Sequence, residues 1–111
     1  MIYHKNLKEQ DWFKLTLVAQ MANIGSEAIR AVNWKNKNNT EYSDLALYRA
    51  LELLNLTKSD KKNILRLKEV TRIYELLVDF FKGENIYNTT PQFITKYFTQ
   101  FTYLNAVQSG K

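Results

Sequence analysis

The chain has no cysteine, three glycines, one proline and a single histidine among its 111 residues. Without cysteine there is no disulfide, no thiolate metal site and no thiol nucleophile. So few glycines and prolines do not suit an all-β chain, whose tight hairpin turns need residues with positive φ. The one histidine, His4, stands close to the start of the chain, where we expect an exposed terminal side chain.

The scarcity of histidine also argues against several kinds of catalytic and metal-binding site. A di-metal centre in a helical bundle needs a Glu-x-x-His motif on two of the helices. A serine or cysteine catalytic centre needs a histidine next to the nucleophile. The sequence has no glycine-rich phosphate-binding loop either. We therefore expect no catalytic residue, no metal ion and no cofactor, and we interpret the protein as a non-enzyme.

Long apolar runs are missing as well. No apolar stretch approaches the ~18 residues that a membrane span requires, and the opening MIYHKNLKEQ lacks the apolar run of a signal peptide. We therefore expect a cytoplasmic protein without a membrane partner. The formal net charge of +5 permits binding to nucleic acid but does not require it.

The apolar residues recur at helical spacing throughout the chain, which predicts an all-α protein. A length of 111 residues, 45% of them hydrophobic, fits one domain over residues 1–111 with a single core. The connections between helices are short, and this favours an up-down-up-down four-helix bundle. The predicted helices span about residues 8–34, 41–56, 60–82 and 91–107. Thr40 is the expected cap of the second helix, and Thr90 followed by Pro91 is the expected start of the fourth.

The first predicted helix is apolar around most of its circumference, so we expect it to be the central helix of the bundle. Its polar side chains fall in one narrow arc, formed by Thr16, Gln20, Asn23, Glu27 and Arg30. Gly25 costs a helix on the order of 1 kcal/mol relative to alanine. We interpret Gly25 as the point where another helix or a loop approaches closely; a ligand lying against the bare backbone is the alternative.

Three charged residues interrupt apolar faces: Arg49 on the second helix, and Arg66 and Glu69 on the third. Counting from the turns places Arg49 level with Glu27 and with Glu69, which predicts a Glu27–Arg49–Glu69 cluster across three helices. A buried arginine needs such partners because an unpaired buried charge costs several kcal/mol. We favour a structural ionic lock; a polar pocket for an anionic ligand is the alternative. The candidate binding residues are Glu27, Arg30, Arg49, Arg66 and Glu69.

Basic residues crowd the start of the third predicted helix. We favour a solvated helix end, and a phosphate-binding surface for RNA or a nucleotide is the alternative. No RNA-recognition motif accompanies these residues. The basic patch comprises Lys58, Lys61, Lys62, Arg66 and Arg72.

Three stretches, residues 22–31 (ANIGSEAIRA), 41–43 (EYS) and 49–54 (RALELL), resemble a family of small prokaryotic helical proteins without an assigned function. More remotely, the chain is similar to the HEPN-type bundles that partner minimal nucleotidyltransferases and to four-helix proteins encoded in ribosomal-RNA intervening sequences. The HEPN nuclease signature, an arginine followed a few residues later by a histidine, is absent, so RNase activity is not implied. The resemblance implies a non-catalytic bundle that works in an assembly, for which a protein encoded nearby is a candidate partner.

These observations predict an interaction or scaffold subunit that self-associates, as a homodimer. The first helix and the aromatic end of the third, residues 73–81, offer more apolar surface than three neighbours readily cover, and such surplus usually marks an interface. The alternative is an RNA- or nucleotide-binding accessory protein that uses the basic start of the third helix.

Overall fold

The structure is a computed structural model that describes residues 9–110. These residues contain helices and no β-strand, so the predicted all-α class is confirmed. The predicted helix start near residue 8, and His4, lie outside the described residues. The elements are α1 (Glu9–Phe13), α2 (Leu17–Asn36), α3 (Thr40–Ser59), a 3₁₀ helix (Lys61–Arg66), α4 (Leu67–Lys82) and α5 (Pro91–Gln108).

The prediction of one unbroken helix over residues 8–34 is wrong, because the chain turns between α1 and α2. The amides of Lys14 and Leu15 bond back to the carbonyls of Asp11 and Trp12, at 3.3 and 3.1 Å. Thr16 then caps α2, since its hydroxyl accepts a hydrogen bond from the Ala19 amide at 3.1 Å. The apolar spacing continues through this turn, and it therefore concealed the break.

The third predicted helix begins as a 3₁₀ helix and becomes α-helical only at Leu67. Asp60 ends α3 in an extended conformation, and its Oδ1 accepts from the Lys62 amide at 3.2 Å. A six-residue 3₁₀ helix is unusually long, because its hydrogen bonds have poorer geometry than those of an α-helix. We therefore expect other contacts to hold this segment.

The remaining helix ends are close to the predicted ones. The cap of α3 is Asn39, one residue before the expected Thr40, and its side chain accepts from the Tyr42 amide at 3.0 Å. Thr90 caps α5 in the same way, accepting from the Phe93 amide at 3.1 Å. Pro91 opens α5, as expected for a residue that lacks an amide proton.

Helix α2 packs against both α3 and α5, and α4 packs against α3. Helices α2 and α3 run antiparallel: the Ser43 hydroxyl donates to the Ala31 carbonyl at one end, and Gln20 donates to Asp60 at the other. The buried apolar side chains come from every long helix, with six from α2 and five from α3. The up-down-up-down order of the whole stays a prediction. The largest fully buried apolar side chains are Met21, Ile24, Leu47, Leu54, Val70, Leu77, Ile94 and Phe98.

Helix α5 approaches α2 closely at Gly25. A Cβ atom added at Gly25 would lie 2.7 Å from the Cβ of Phe98, nearer than real Cβ atoms approach one another. Phe98 is itself fully buried, so its ring has no room to withdraw. The expected close approach is confirmed, and the space that a ligand would need is filled by Phe98.

We expect Gly25→Ala to destabilise the protein although alanine is the better helix former. Overpacking against Phe98 costs about 1–3 kcal/mol, and helix propensity returns about 1 kcal/mol, which leaves a net loss. Chemical denaturation measures the free energy of unfolding. Ser26→Ala, at the exposed neighbouring position, is the control and should be neutral or stabilising. An equal response of the two variants would count against the close approach.

Candidate functional site

The structure divides the predicted three-helix charge cluster into two groups. Arg49 Nη1 lies 3.8 Å from Glu27 Oε2, and Glu27 also accepts a hydrogen bond from Arg30 at 2.9 Å. Glu69 instead accepts from Arg66 Nε at 2.9 Å. Within residues 9–110, no ion pair joins Glu69 to Arg49. Glu69 pairs with a residue only three positions earlier in the chain. Counting from the turns compared positions on different helices and did not consider such a local pair.

The first group is partly open to water. Glu27 Oε2 is buried without a hydrogen-bond partner, and the nearby Arg49 side chain is 39% exposed. The guanidinium therefore already faces a carboxylate on one side and water on the other. This geometry favours the structural lock over a site for an anionic ligand.

The second group ties α5 to α4 through Tyr97, whose hydroxyl donates to Glu69 at 2.7 Å. Burial raises the pKa of Glu69, but hydrogen bonds from Arg66 and Tyr97 outweigh it and hold that pKa below its usual value. Burial and the hydrogen bond to Glu69 raise the pKa of Tyr97 far above its usual value. Tyr97 thus stays protonated and Glu69 stays ionised, which suits a structural tie and not proton transfer.

A buried polar network, absent from the sequence-based expectations, joins α1, α2, α3 and the 3₁₀ helix. We call it the polar core. Gln20 is its centre: its amide nitrogen donates to the Trp12 carbonyl at 3.1 Å and to Asp60 Oδ2 at 2.9 Å. Its amide oxygen accepts from Asn63 at 2.9 Å. The Trp12 indole donates to the Thr57 hydroxyl at 3.1 Å. All five residues are buried.

No fully enclosed side-chain nitrogen or oxygen of the polar core lacks a hydrogen-bond partner. Asn63 also donates to the Thr57 carbonyl at 3.1 Å, and Lys62 Nζ bonds the Phe13 carbonyl at 2.9 Å and the Asp60 carboxylate. Burial raises the pKa of Asp60, but hydrogen bonds from Lys62 and from Gln20 outweigh it and lower that pKa below its usual value. A fully connected network of this kind rigidifies and specifies a core.

One signal in the sequence marks the polar core. Gln20 was assigned to the polar arc of its helix, yet it stands four residues before Ile24, in the most deeply buried stripe of α2. Asp60 and Asn63 continue the apolar seam of α4 backwards from Leu67 at spacings of four and three. Polar residues at such seam positions must find buried partners, and only the fold shows which ones they find.

The predicted basic patch is exposed, but part of its charge is already engaged. Lys62 is held by Asp60, Arg66 by Glu69, and the Lys58 ammonium lies 4.3 Å from the centre of the Tyr74 ring. Within the described part of the chain, Lys61 and Arg72 form no ion pair. This arrangement leaves less free charge for phosphate than the sequence suggested.

The predicted surplus of apolar surface is not where the sequence placed it. Of the aromatic end of α4, Ile73 and Leu77 are buried, while Phe80 and Phe81 pack partly buried against the core. Exposed apolar side chains occur on α3 and near the end of α5, and two further groups lie in the short segments between long helices. One is on the 3₁₀ helix, with Ile64 and Leu65. The other is in the segment between α4 and α5.

Residues 83–90 form a loop that its own hydrogen bonds hold rigid. The Asp79 carboxylate accepts from the amides of Ile86 and Tyr87, at 2.9 and 3.1 Å. The Asn85 side chain bonds the amide and the carbonyl of Thr89, at 2.8 and 2.9 Å. Asn85 adopts the left-handed conformation that asparagine tolerates. The loop therefore fixes Ile86 and Tyr87 outward, where they are 74% and 57% exposed.

Tyr87 stands between two hollows in the surface, and we call this region the loop patch. One hollow, of about 430 Å³, is lined by Tyr74, Glu75, Val78, Asp79, Ile86 and Tyr87. The other, of about 240 Å³, is lined by Leu76, Tyr87, Asn88, Thr89, Thr90 and Phe93. Two projecting side chains and two adjoining hollows thus share one rigid surface.

Among residues 9–110 there is no group of three or more His, Cys, Asp or Glu side chains that could hold a metal ion. None of the described helices is long and apolar enough to cross a membrane. Comparison with protein-family models, with curated proteins and with solved structures finds no match to this chain.

The polar core predicts an acid-sensitive stability that depends on Asp60. Because folding lowers the pKa of Asp60, its stabilisation is present above the unfolded pKa, about 4, and is lost as pH falls through the folded value. We expect Asp60→Asn to lower the free energy of unfolding at pH 7 by about 1–3 kcal/mol. The difference from the native protein should shrink towards pH 2.

Urea unfolding followed by circular dichroism between about pH 2 and 7 measures this dependence. Asp11→Asn is the matched control, because Asp11 is exposed and, among residues 9–110, its ion pair is with Lys14 alone, at 3.6 Å. The control should change the free energy of unfolding by less than about 0.5 kcal/mol at every pH. A pH-independent effect of Asp60→Asn would contradict the assignment.

The contact between Arg49 and Glu27 makes a prediction for Arg49→Met. A half-exposed pair at 3.8 Å contributes little, so we expect the free energy of unfolding to change by less than about 1 kcal/mol. Thermal unfolding measures this change. A larger loss would contradict this expectation and show that the buried Glu27 oxygen depends on the guanidinium for its charge to be tolerated.

Proposed function

We propose that this protein is a non-catalytic helical interaction or scaffold subunit that self-associates as a homodimer. The observation that carries the proposal is the loop patch, where Ile86 and Tyr87 project from a rigid loop beside two hollows. Exposed apolar patches of this kind usually mark interaction sites. The interface in this proposal is the loop patch, and no longer the apolar face of α2 or the end of α4.

A second copy fits the loop patch because the patch carries both projections and hollows. In a two-fold symmetric dimer the same surface meets itself, so it must be complementary to itself. Tyr87 of one copy would fill a hollow beside Tyr87 of the other, and the reverse contact would form at the same time. A partner with one projecting segment would leave half of these features unused.

The charges around the loop patch permit two copies to approach. Glu75 and Glu84 are exposed beside it, and Lys82 is engaged by Asp44 at 2.7 Å. Both glutamates are exposed, so they can remain in water at the rim of a paired interface. The rigid loop also reduces the ordering cost of association, because Asp79 and Asn85 already hold it in place.

The proposed order of the helices and the proposed location of the protein rest on the sequence. We propose that the long helices form an up-down-up-down four-helix bundle and that the protein acts in the cytoplasm. The HEPN-like resemblance, which implies work in an assembly, is compatible with a dimer. The RNA-binding alternative has less support, because Lys58, Lys62 and Arg66 already contact Tyr74, Asp60 and Glu69.

Sedimentation equilibrium at micromolar concentration tests the proposal. We expect the native protein to dimerise, and the double substitution Ile86→Ser with Tyr87→Ser to weaken dimerisation at least about tenfold. The estimate rests on apolar burial, because each large apolar side chain that is buried contributes about 1.5–3 kcal/mol. The variant should stay folded, because the loop is held by the backbone amides of these two residues.

Val107→Ser is the matched control, since Val107 is an exposed apolar residue near the end of α5. It should leave dimerisation unchanged. A native protein that is monomeric at these concentrations would refute the proposal. A dimer that survives the loop substitutions would refute its interface.

A further inference from the structure

We propose that the 3₁₀ helix is a docking element for an anionic lipid surface. We call its exposed part the basic tip: Ile64 and Leu65 project from it between Lys61, Lys62, Arg66 and Lys68. The proposal is independent of self-association through the loop patch.

The geometry of a 3₁₀ helix explains why apolar and basic side chains lie next to each other there. With three residues per turn, positions three apart lie on the same edge. Asn63 occupies the buried edge. The two remaining edges each combine a cation with an apolar side chain: Lys61 with Ile64 on one, and Lys62 with Leu65 on the other. Lys68 follows in the first turn of α4.

The apolar side chains of the basic tip protrude. Leu65 is 94% exposed and Ile64 is 70% exposed, so most of each side chain lies in water. The segment joins the end of α3 to the start of α4, and it therefore lies at one end of these helices. A protruding apolar tip suits insertion into a soft surface, whereas a partner helix would need a groove to occupy.

The charge of the basic tip selects an anionic occupant. Residues 58–72 contain six lysines and arginines and two acids. Asp60 and Glu69 pair with Lys62 and Arg66, so the net positive charge of this segment comes from the four other cations, Lys58, Lys61, Lys68 and Arg72. A second copy of this surface would be repelled, in contrast to the loop patch. Anionic lipid headgroups attract basic segments at the membrane surface, and the acyl region beneath them receives Ile64 and Leu65. RNA would leave these two side chains in water.

The polar core prepares the basic tip for docking. Asp60 caps the 3₁₀ helix and Asn63 bonds to Gln20 and to the Thr57 carbonyl, so the segment is fixed before it meets a surface. Lys62 bonds to the Phe13 carbonyl and thereby secures α1 beside it. The expectation of no membrane partner rested on the lack of spanning segments, and a peripheral contact does not need one.

Co-sedimentation with vesicles tests this proposal. The full-length protein is mixed with vesicles of phosphatidylcholine alone, or of phosphatidylcholine with about 30 mol % phosphatidylglycerol, a level that gives a negative surface potential. We expect binding only to the anionic vesicles, falling steeply as salt rises. Ile64→Ser with Leu65→Ser should lower the partition coefficient at least about tenfold, as should Lys61→Glu with Lys68→Glu.

Two substitutions elsewhere serve as matched controls: Val107→Ser removes an exposed apolar side chain, and Lys96→Glu reverses an exposed cation. Both should bind the anionic vesicles like the native protein. Circular dichroism confirms that every variant is folded. A uridine oligonucleotide is tested in parallel, with the same variants.

Three outcomes would overturn the proposal. The first is a native protein that ignores the anionic vesicles. The second is vesicle binding that Ile64→Ser with Leu65→Ser leaves intact, which would mean unspecific attraction of charge. The third is oligonucleotide binding that is tighter than vesicle binding and insensitive to the apolar substitutions, which would identify the surface as an RNA site. Loss of the dimer alone would leave this proposal standing, and loss of vesicle binding alone would leave the dimer standing.

Discussion

The hydrogen bonds of Gln20 are the constraint on which the arrangement of this protein depends. A fully buried amide with unsatisfied groups costs several kcal/mol, so α2 can pack here only if α1, Asp60 and Asn63 are all in place. Apolar packing between α2, α3 and α5 supplies most of the burial, but it is tolerant of small shifts. The amide network admits one arrangement, and it therefore sets the position of α1 and the point where α3 ends.

The basic tip and the loop patch are each shaped by an aspartate that accepts hydrogen bonding from the backbone. Asp60 ends α3 and starts the 3₁₀ helix, which turns Ile64 and Leu65 outward. Asp79 performs the same task for the loop after α4 by bonding the amides of Ile86 and Tyr87. In each case a charged group fixes the backbone and an apolar pair is displayed in water. The surrounding charge then separates their roles, since only the surface near the 3₁₀ helix is strongly basic.

Apolar spacing and capping residues were enough to predict the class of the fold and several of its parts. Thr90 and Pro91 predicted the start of α5 because capping is a local interaction. Gly25 predicted the approach of a neighbour because the absence of a side chain has few other uses inside a helix. These features depend on residues adjacent in sequence, or on one backbone position, and the sequence therefore carries them directly.

The features that the sequence did not predict depend on contacts between distant residues. The turn at residues 14–16 and the 3₁₀ helix are stabilised by bonds from Gln20 and Lys62 to partners about 40 or more residues away. The ionic pairing was predicted only in part, because Arg66 reaches Glu69 within its own turn while Arg49 remains half-exposed. The exposure of Ile86 and Tyr87 depends on a loop geometry that no periodicity describes.

The exchange of the Trp12 indole proton with solvent, followed by NMR in deuterated buffer, tests the account most directly. The chain has two tryptophans, and Trp34 is an internal reference because it is half-buried. The account predicts that the Trp12 proton, bonded to Thr57 in the polar core, exchanges far more slowly than that of Trp34. It also predicts that Gln20→Met removes the protection of Trp12 and spares the amides of α5. Equal exchange of the two indoles in the native protein would contradict it.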